Sequence, residues 1–353
     1  MNIPPVDMQK AAEVKRNWDK KVKPKDSLGV LEDIVARILS IRPDLTCQNM
    51  KPVLLLCAAD HNIIEEGVSH SPQKVTWQQV ENFARGKGAV SLMANDQQVT
   101  LKIIDCGVNH DFKPDSLVID RKAGLAAGNF LHTKAMDPVS ASQAVENGKD
   151  LVRLMCCEGY DVIMLGEMGV GNTTSASAIC SALLKVDPRM CTSKGAGLTP
   201  AALARKIDVI GQALAFHGFP EEPFSVLCTF GGYEIATMVG IILEAAVRRR
   251  IIVIDGFVTA AALLVAFSMD ERVLPYVIAS HRSRESGHAL ILERVSLRPL
   301  LDLGLSLGEG TGALMSYPVI RQALHLYEKL ETFDEAGVTN SVEKLIRECD
   351  DES

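Results

Sequence analysis

Two short segments of this chain set one glutamate among glycines: GEMGVGNTT, residues 166–174, and GEGTGA, residues 308–313. Glycines so spaced let the backbone turn tightly and approach a ligand closely. A turn that feeds a helix N-terminus also offers N–H groups and the positive end of the helix dipole to an anion. Gly169 and Gly171, followed by Asn172 and Thr173, fit that description, as do Gly308, Gly310 and Gly312. A third segment, SKGAGLTPAALARK, carries Gly195 and Gly197, then Thr199 as N-cap and Pro200 at the first helical position. Together the three read as cradles for a phosphorylated ligand. Glu167 and Glu309 are the anomaly, because a carboxylate repels a phosphate. Proton transfer, or stabilisation of developing positive charge, gives them a use. Nothing matches G-x-x-x-x-G-K-[ST], or G-x-G-x-x-G after the first strand, so nucleoside triphosphates and dinucleotides are disfavoured.

Other polar residues are weighed singly. Asp255 ends an apolar run, where an aspartate is more often a ligand contact than a turn-former. Lys206 follows the Gly195–Gly197 loop on a helical stretch and gains meaning only if it converges on a phosphate. His61, His281 and His288 lie in separate segments with no H-x-x-x-H pair, which favours turn or cap roles over a metal site.

These residues need elements to position them. Six apolar runs, 52–58, 99–105, 161–166, 224–230, 250–255 and 275–280, read as strands covered on both faces. Helical stretches alternate with them, which predicts an α/β fold with a mostly parallel sheet of about six strands covered by helices. A polar segment follows each run: ADHNIIEEGVSHSPQKVTWQQVENF, DCGVNHD, GEMGVGNTTSASA, FGGYEIA, DGFVTAAA and SHRSRESGH. In open α/β sheets ligands bind outside the carboxyl ends of the strands, so six such segments converging on one edge predict a ligand crevice there. Residues 8–42 and 313–332 read as helix, with an amphipathic tail, SVEKLIRECDDES, beyond them. This predicts a small helical domain from both ends, 1–45 with 325–353, beside a large α/β domain, 46–324.

Bulk composition narrows the class. A chain of 353 residues, 47% hydrophobic, suits one large domain or a large plus a small one. Forty-four acidic against 37 basic residues give a net charge of −7, and no basic stripe interleaves with aromatics, so nucleic acid is not expected as a partner. The nine cysteines contain no C-x-x-C pair and sit partly in apolar runs, as reduced thiols of a cytoplasmic protein do. No apolar stretch of spanning length or signal-peptide type is evident, so no membrane association is expected.

The ordered series KPKDSLGVLED, AADHNIIEEGVS, SPQKVT, GEMGVGNTTSASA, KGAGL, ALARKIDV, GGYEIATMVG, IDGFVTAAAL, ASHRSRESGH and LDLGLSLGEGTGAL resembles the nicotinate-nucleotide–dimethylbenzimidazole phosphoribosyltransferases over residues 20–340. The resemblance implies transfer of the 5-phosphoribosyl group of nicotinate mononucleotide to 5,6-dimethylbenzimidazole, giving α-ribazole 5′-phosphate and nicotinate with inversion at the anomeric carbon. It implies a Rossmann-like large domain, a homodimer in which one subunit's small domain helps close the other's site, and no cofactor or metal. By motif, Glu309 matches the catalytic base and Glu167 a second active-site glutamate near the ribose. Lys206, Asp255 and Ser283 match nucleotide-site positions. Gly169, Asn172, Gly195, Gly197 and Gly310 complete the phosphate and ribose contacts, while Ser71 and Gln79 fall in the aromatic-base pocket.

The chemistry is consistent with those assignments. The departing pyridinium nitrogen takes the bonding electrons and needs no acid, whereas the incoming azole must lose a proton. A carboxylate within reach of its N–H supplies the base, and Glu309 is the candidate. Trp77 and Ser306 depart from the family's usual residues and bear on the acceptor, which leaves another benzimidazole, a purine or a phenol as alternatives. A non-catalytic nucleotide-binding partner subunit is the reading from another class, and it predicts loss of the carboxylate that Glu309 supplies.

Overall fold

Pro52–Ala59 (β1) is eight consecutive buried residues, the mark of a strand covered on both faces. Thr100–Gly107 (β2) and Val162–Met168 (β4) flank it in parallel, Val118–Asp120 (β3) pairs with β2, and Ile251–Ile254 (β5) and Val277–Ala279 (β6) extend the other side. The order 3-2-1-4-5-6 makes a Rossmann-like parallel sheet, as expected. The structure, a computed structural model, describes residues 2–193 and 197–340.

Two details differ from the sequence reading. The run 224–230 is not a strand: Pro223–Phe230 is a helix with proline at its first turn. Five successive buried residues, Val226–Phe230, erase the helical periodicity, and a short apolar run alone does not separate a buried helix from a buried strand. The sixth strand is instead β3, whose three half-buried to exposed edge residues give too little pattern to read. At the amino end, residues 8–42 form two helices, Met8–Asp19 and Val30–Ile41, and not one. Pro24 and the left-handed Gly29 (φ 54°) lie between them.

The described residues fall into two compact units, one of those up to Pro5 with Lys51–Tyr317, the other of Val6–Met50 with those from Pro318 onward. The sequence reading set these boundaries at 45 and 324. In the smaller unit the chain ends meet. Trp18, fully buried, packs edge-on to Tyr327 at 5.1 Å, and Lys21 bridges Thr332. Lys23 and Glu32 form a buried ion pair at 2.8 Å. The expected tail, 341–353, lies outside the described residues. Among the described residues no helix is long and apolar enough to cross a membrane.

Candidate active site

The strand order reverses between β1 and β4, and a crevice is expected outside their carboxyl ends. A cavity of about 290 Å³ lies there, lined by the larger unit. Four of the six polar segments reach it, those after β1, β4, β5 and β6, joined by Leu198, Lys206 and residues 306–309. The segment after β2 does not. There Asp105 accepts N–H groups of Gly107 and Val108 and pairs with Lys122 at 2.7 Å, a structural turn. FGGYEIA follows a helix and does not line the cavity, although its Glu234 pairs with His61 just after β1.

Of the expected site residues, Glu309, Glu167, Gly169, Asn172, Lys206, Ser283, Ser71 and Gln79 all line the cavity. Gly197 is described but does not, and Gly195 lies outside the described residues. Asp255 and Gly310 stand behind the wall. Asp255, 1% exposed, accepts hydrogen bonds from Gly310 N (3.0 Å), Gly312 N (2.7 Å) and Ala313 N (3.1 Å). The N–H groups that made GEGTGA look like a phosphate cradle are thus taken by a carboxylate of the chain itself. Gly308, Glu309 and Gly310 all have positive φ (79°, 63° and 84°), a left-handed run that projects Glu309 into the cavity.

The acceptor-pocket segment also needs correction. On the helix Val75–Ala84, Val75 and Gln79 share the cavity face one turn apart, while Trp77 stacks on His110 at 4.5 Å and is not part of the lining. Of the two departures that bore on the acceptor, Ser306 alone reaches the cavity.

The histidines were expected in turn or cap roles, and His61 does stand at the N-cap of Asn62–Glu66, though its side chain makes no cap hydrogen bond. His61 is buried, with Nε2 2.6 Å from Glu234 Oε1 and Nδ1 3.0 Å from Ser175 Oγ, a core link packed against Gly171. His288 Nδ1 accepts from Ser283 N at 3.0 Å, and burial pushes its pKa down to about 3, so it holds Ser283 as a neutral ring. His281, His70 and Glu285 line the cavity although sequence reasoning assigned none of them there. Their signal was position, since each sits in a segment after a strand. His70 Nε2 accepts from Thr199 N at 3.2 Å, joining the β1 segment to the N-cap of the helix that carries Lys206.

Comparison with known proteins identifies the family. The family model described as Phosphoribosyltransferase matches residues 3–338. A nicotinate-nucleotide–dimethylbenzimidazole phosphoribosyltransferase of Dechloromonas aromatica is 41% identical over 91% of this chain and 93% of its own. One of Variovorax paradoxus is 40% identical over 93% of each. The crystal structure of the Thermus thermophilus protein of that name superposes with a TM-score of 0.89 at 34% identity, covering 95% of this chain and 99% of that one. The chain belongs to the nicotinate-nucleotide–dimethylbenzimidazole phosphoribosyltransferase family.

In this family member the cavity's charges are tuned by burial. Glu309, 7% exposed, has its pKa raised to about 7, first by burial and then by Asp255. Glu167 rises to about 8, mainly by burial, opposed by a short hydrogen bond from Asn172 Nδ2 and aided by the charges of Asp255, Glu234 and Glu309. Lys206, 1% exposed, falls to about 8 through burial, against the attraction of Glu285, and donates to Thr173 Oγ1 at 2.8 Å. A cationic ligand favours the ionised form of both glutamates. The site therefore sets a buried ammonium beside a helix N-terminus at one place and two adjustable carboxylates at another.

Proposed function

We propose that this protein transfers the 5-phosphoribosyl group of nicotinate mononucleotide to 5,6-dimethylbenzimidazole, yielding α-ribazole 5′-phosphate and nicotinate. The observation that carries the reading is Glu309: a carboxylate on the cavity wall, nearly buried, with proton affinity near neutrality. The glycosidic C–N bond breaks with its electron pair going to the pyridinium nitrogen, which becomes neutral. The azole's lone pair forms the new C–N bond on the opposite face, and the proton on its other nitrogen passes to Glu309. General-base help of this kind contributes ~10²–10⁴ in rate.

Lys206, Thr173 and the N-terminus of the helix Asn172–Leu184 hold the 5′-phosphate, with Gly169 and Ser283 lining the donor's path. Glu167, steadied by Asn172, faces the ribose and offsets oxocarbenium-like charge. Ser71 and Gln79 border the acceptor ring. The enzyme works as a cytoplasmic homodimer without metal or cofactor. All eight described cysteines are free, in keeping with a reducing compartment.

The test is incubation of purified protein with nicotinate mononucleotide and 5,6-dimethylbenzimidazole, following nicotinate and the new nucleotide by chromatography. Stoichiometric appearance of both is expected. Absence of nicotinate release with every azole and phenol offered rejects the enzyme reading, and light scattering showing a monomer rejects the dimer.

A further inference from the structure

Asp255 is the one expected nucleotide contact whose carboxylate is already engaged. Asp255 is not part of the cavity lining, and its two oxygens take three backbone N–H groups from Gly310, Gly312 and Ala313. Those groups begin the helix Thr311–Lys329, whose positive dipole end favours a carboxylate there. Because it closes three donors at once, Asp255 fixes the turn just after Glu309, at Gly310, and again two and three residues further on, at Gly312 and Ala313. On the other side Gly166 presses against the same turn: a Cβ there would lie 2.8 Å from Glu309 O. Thr311 Oγ1 donates to Gly308 O at 2.7 Å and ties the turn across itself. Three successive left-handed residues, one of them not glycine, persist only where the surroundings over-determine them.

We propose that Asp255 is a positioning residue for Glu309, acting through the turn and not by touching the nucleotide. This rests on the function proposed above. Its carboxylate locks the left-handed run in the conformation that aims Glu309 at the acceptor's N–H, and its negative charge keeps the base proton-hungry. The titratable groups facing Glu309 are Asp255 behind it and Glu167 across the turn, where a Cβ on Gly308 would lie 2.5 Å from Glu167 Oε1. His281 Nδ1 lies 3.8 Å from Asp255 Oδ1, and burial lowers its pKa against the attraction of that carboxylate. Lys206 and Glu285 share the cavity wall.

The test is Asp255→Asn, alone and combined with Glu309→Gln. Asparagine keeps the shape, but its amide cannot accept on both sides. We expect kcat to fall by about 10²-fold, the scale of a misplaced catalytic group, with KM for nicotinate mononucleotide nearly unchanged. The acidic limb of the pH profile should move to lower pH. In the Glu309→Gln background the same change should cost almost nothing more, because the two residues act as a unit. A raised donor KM at unchanged kcat, or losses that multiply in the double variant, overturns the proposal. Amide exchange in the wild-type chain reads the clamp without any variant: Gly310, Gly312 and Ala313 should exchange slowly, and fast exchange at all three overturns it even if Asp255→Asn does not fold. Wild-type protein that releases no nicotinate marks a failure of the underlying function, whatever the exchange data show of the clamp.

Discussion

The turns GEMGVG and GEGTGA are near-copies in sequence, yet the fold uses them differently. Each follows a glycine with a glutamate and then runs into a helix, Asn172–Leu184 or Thr311–Lys329. At the first turn, residues 169–173 line the cavity and the Lys206 ammonium sits against Thr173, so the helix start is turned toward a ligand. At the second, the helix start is closed by Asp255, and what faces the cavity is Glu309. Identical local chemistry therefore gives an anion site in one place and a base in the other. The difference lies in a partner 55 residues away from Gly310. Both glutamates end with raised proton affinities, first through burial and then through neighbouring carboxylates.

The contrast can be broken from either side. Glu309→Gln should have the largest effect, a kcat loss of ~10²–10⁴ with nucleotide binding kept, measured by steady-state kinetics and calorimetric titration. A binding-only protein would not notice the change. Lys206→Met should act on the other turn, raising the donor KM roughly ten- to a hundredfold, as expected for removal of a hydrogen bond to a charged group worth about 1.5–3 kcal/mol. If its effect fell on kcat alone, the phosphate would have to bind elsewhere. Glu167→Gln should lower kcat about tenfold, or ~1.4 kcal/mol, since glutamine keeps a carbonyl and loses only the charge. An effect equal to that of Glu309→Gln would erase the division between the two turns.

The remaining contrast is in stability, not in turnover. A Cβ on Gly312 would strike the His281 ring and sit 2.7 Å from Asp255 Oδ1, whereas a Cβ on Gly171 meets chiefly the Ile64 side chain, at 2.7 Å. Gly312→Ala should therefore destabilise by about 1–3 kcal/mol in denaturant unfolding, typical of overpacking a rigid site. Gly171→Ala, though its φ of 98° is strained for alanine, meets the more yielding neighbour. Equal effects would show that the two turns are packed alike.

Much of this was legible in the chain. The apolar runs gave the parallel sheet because strands covered on both faces need no alternation. Glycine spacing gave the turns, since it reports a local backbone need. Glu167 and Glu309 stood out as charges in the wrong place for a phosphate loop. What failed was non-local or too short. Residues 224–230 form a helix because burial on every side removed the period. Asp255 was read as a ligand contact because nothing in its own segment reveals that the start of another helix lies behind it. Trp77 was placed in the pocket by segment, but a two-residue step along a helix from Val75 or Gln79 turns a side chain away from their face.

The most direct test of Glu309 as the acceptor's base is the pH dependence of kcat/KM for wild type and Glu309→Gln. A base must be ionised to accept a proton, so with its pKa raised to about 7 activity should fall as pH drops through it. The account predicts an acidic limb near pH 7 in the wild type that is absent from the residual activity of Glu309→Gln. A limb that persists unchanged in the variant, or a wild-type profile flat down to pH 5, would contradict it.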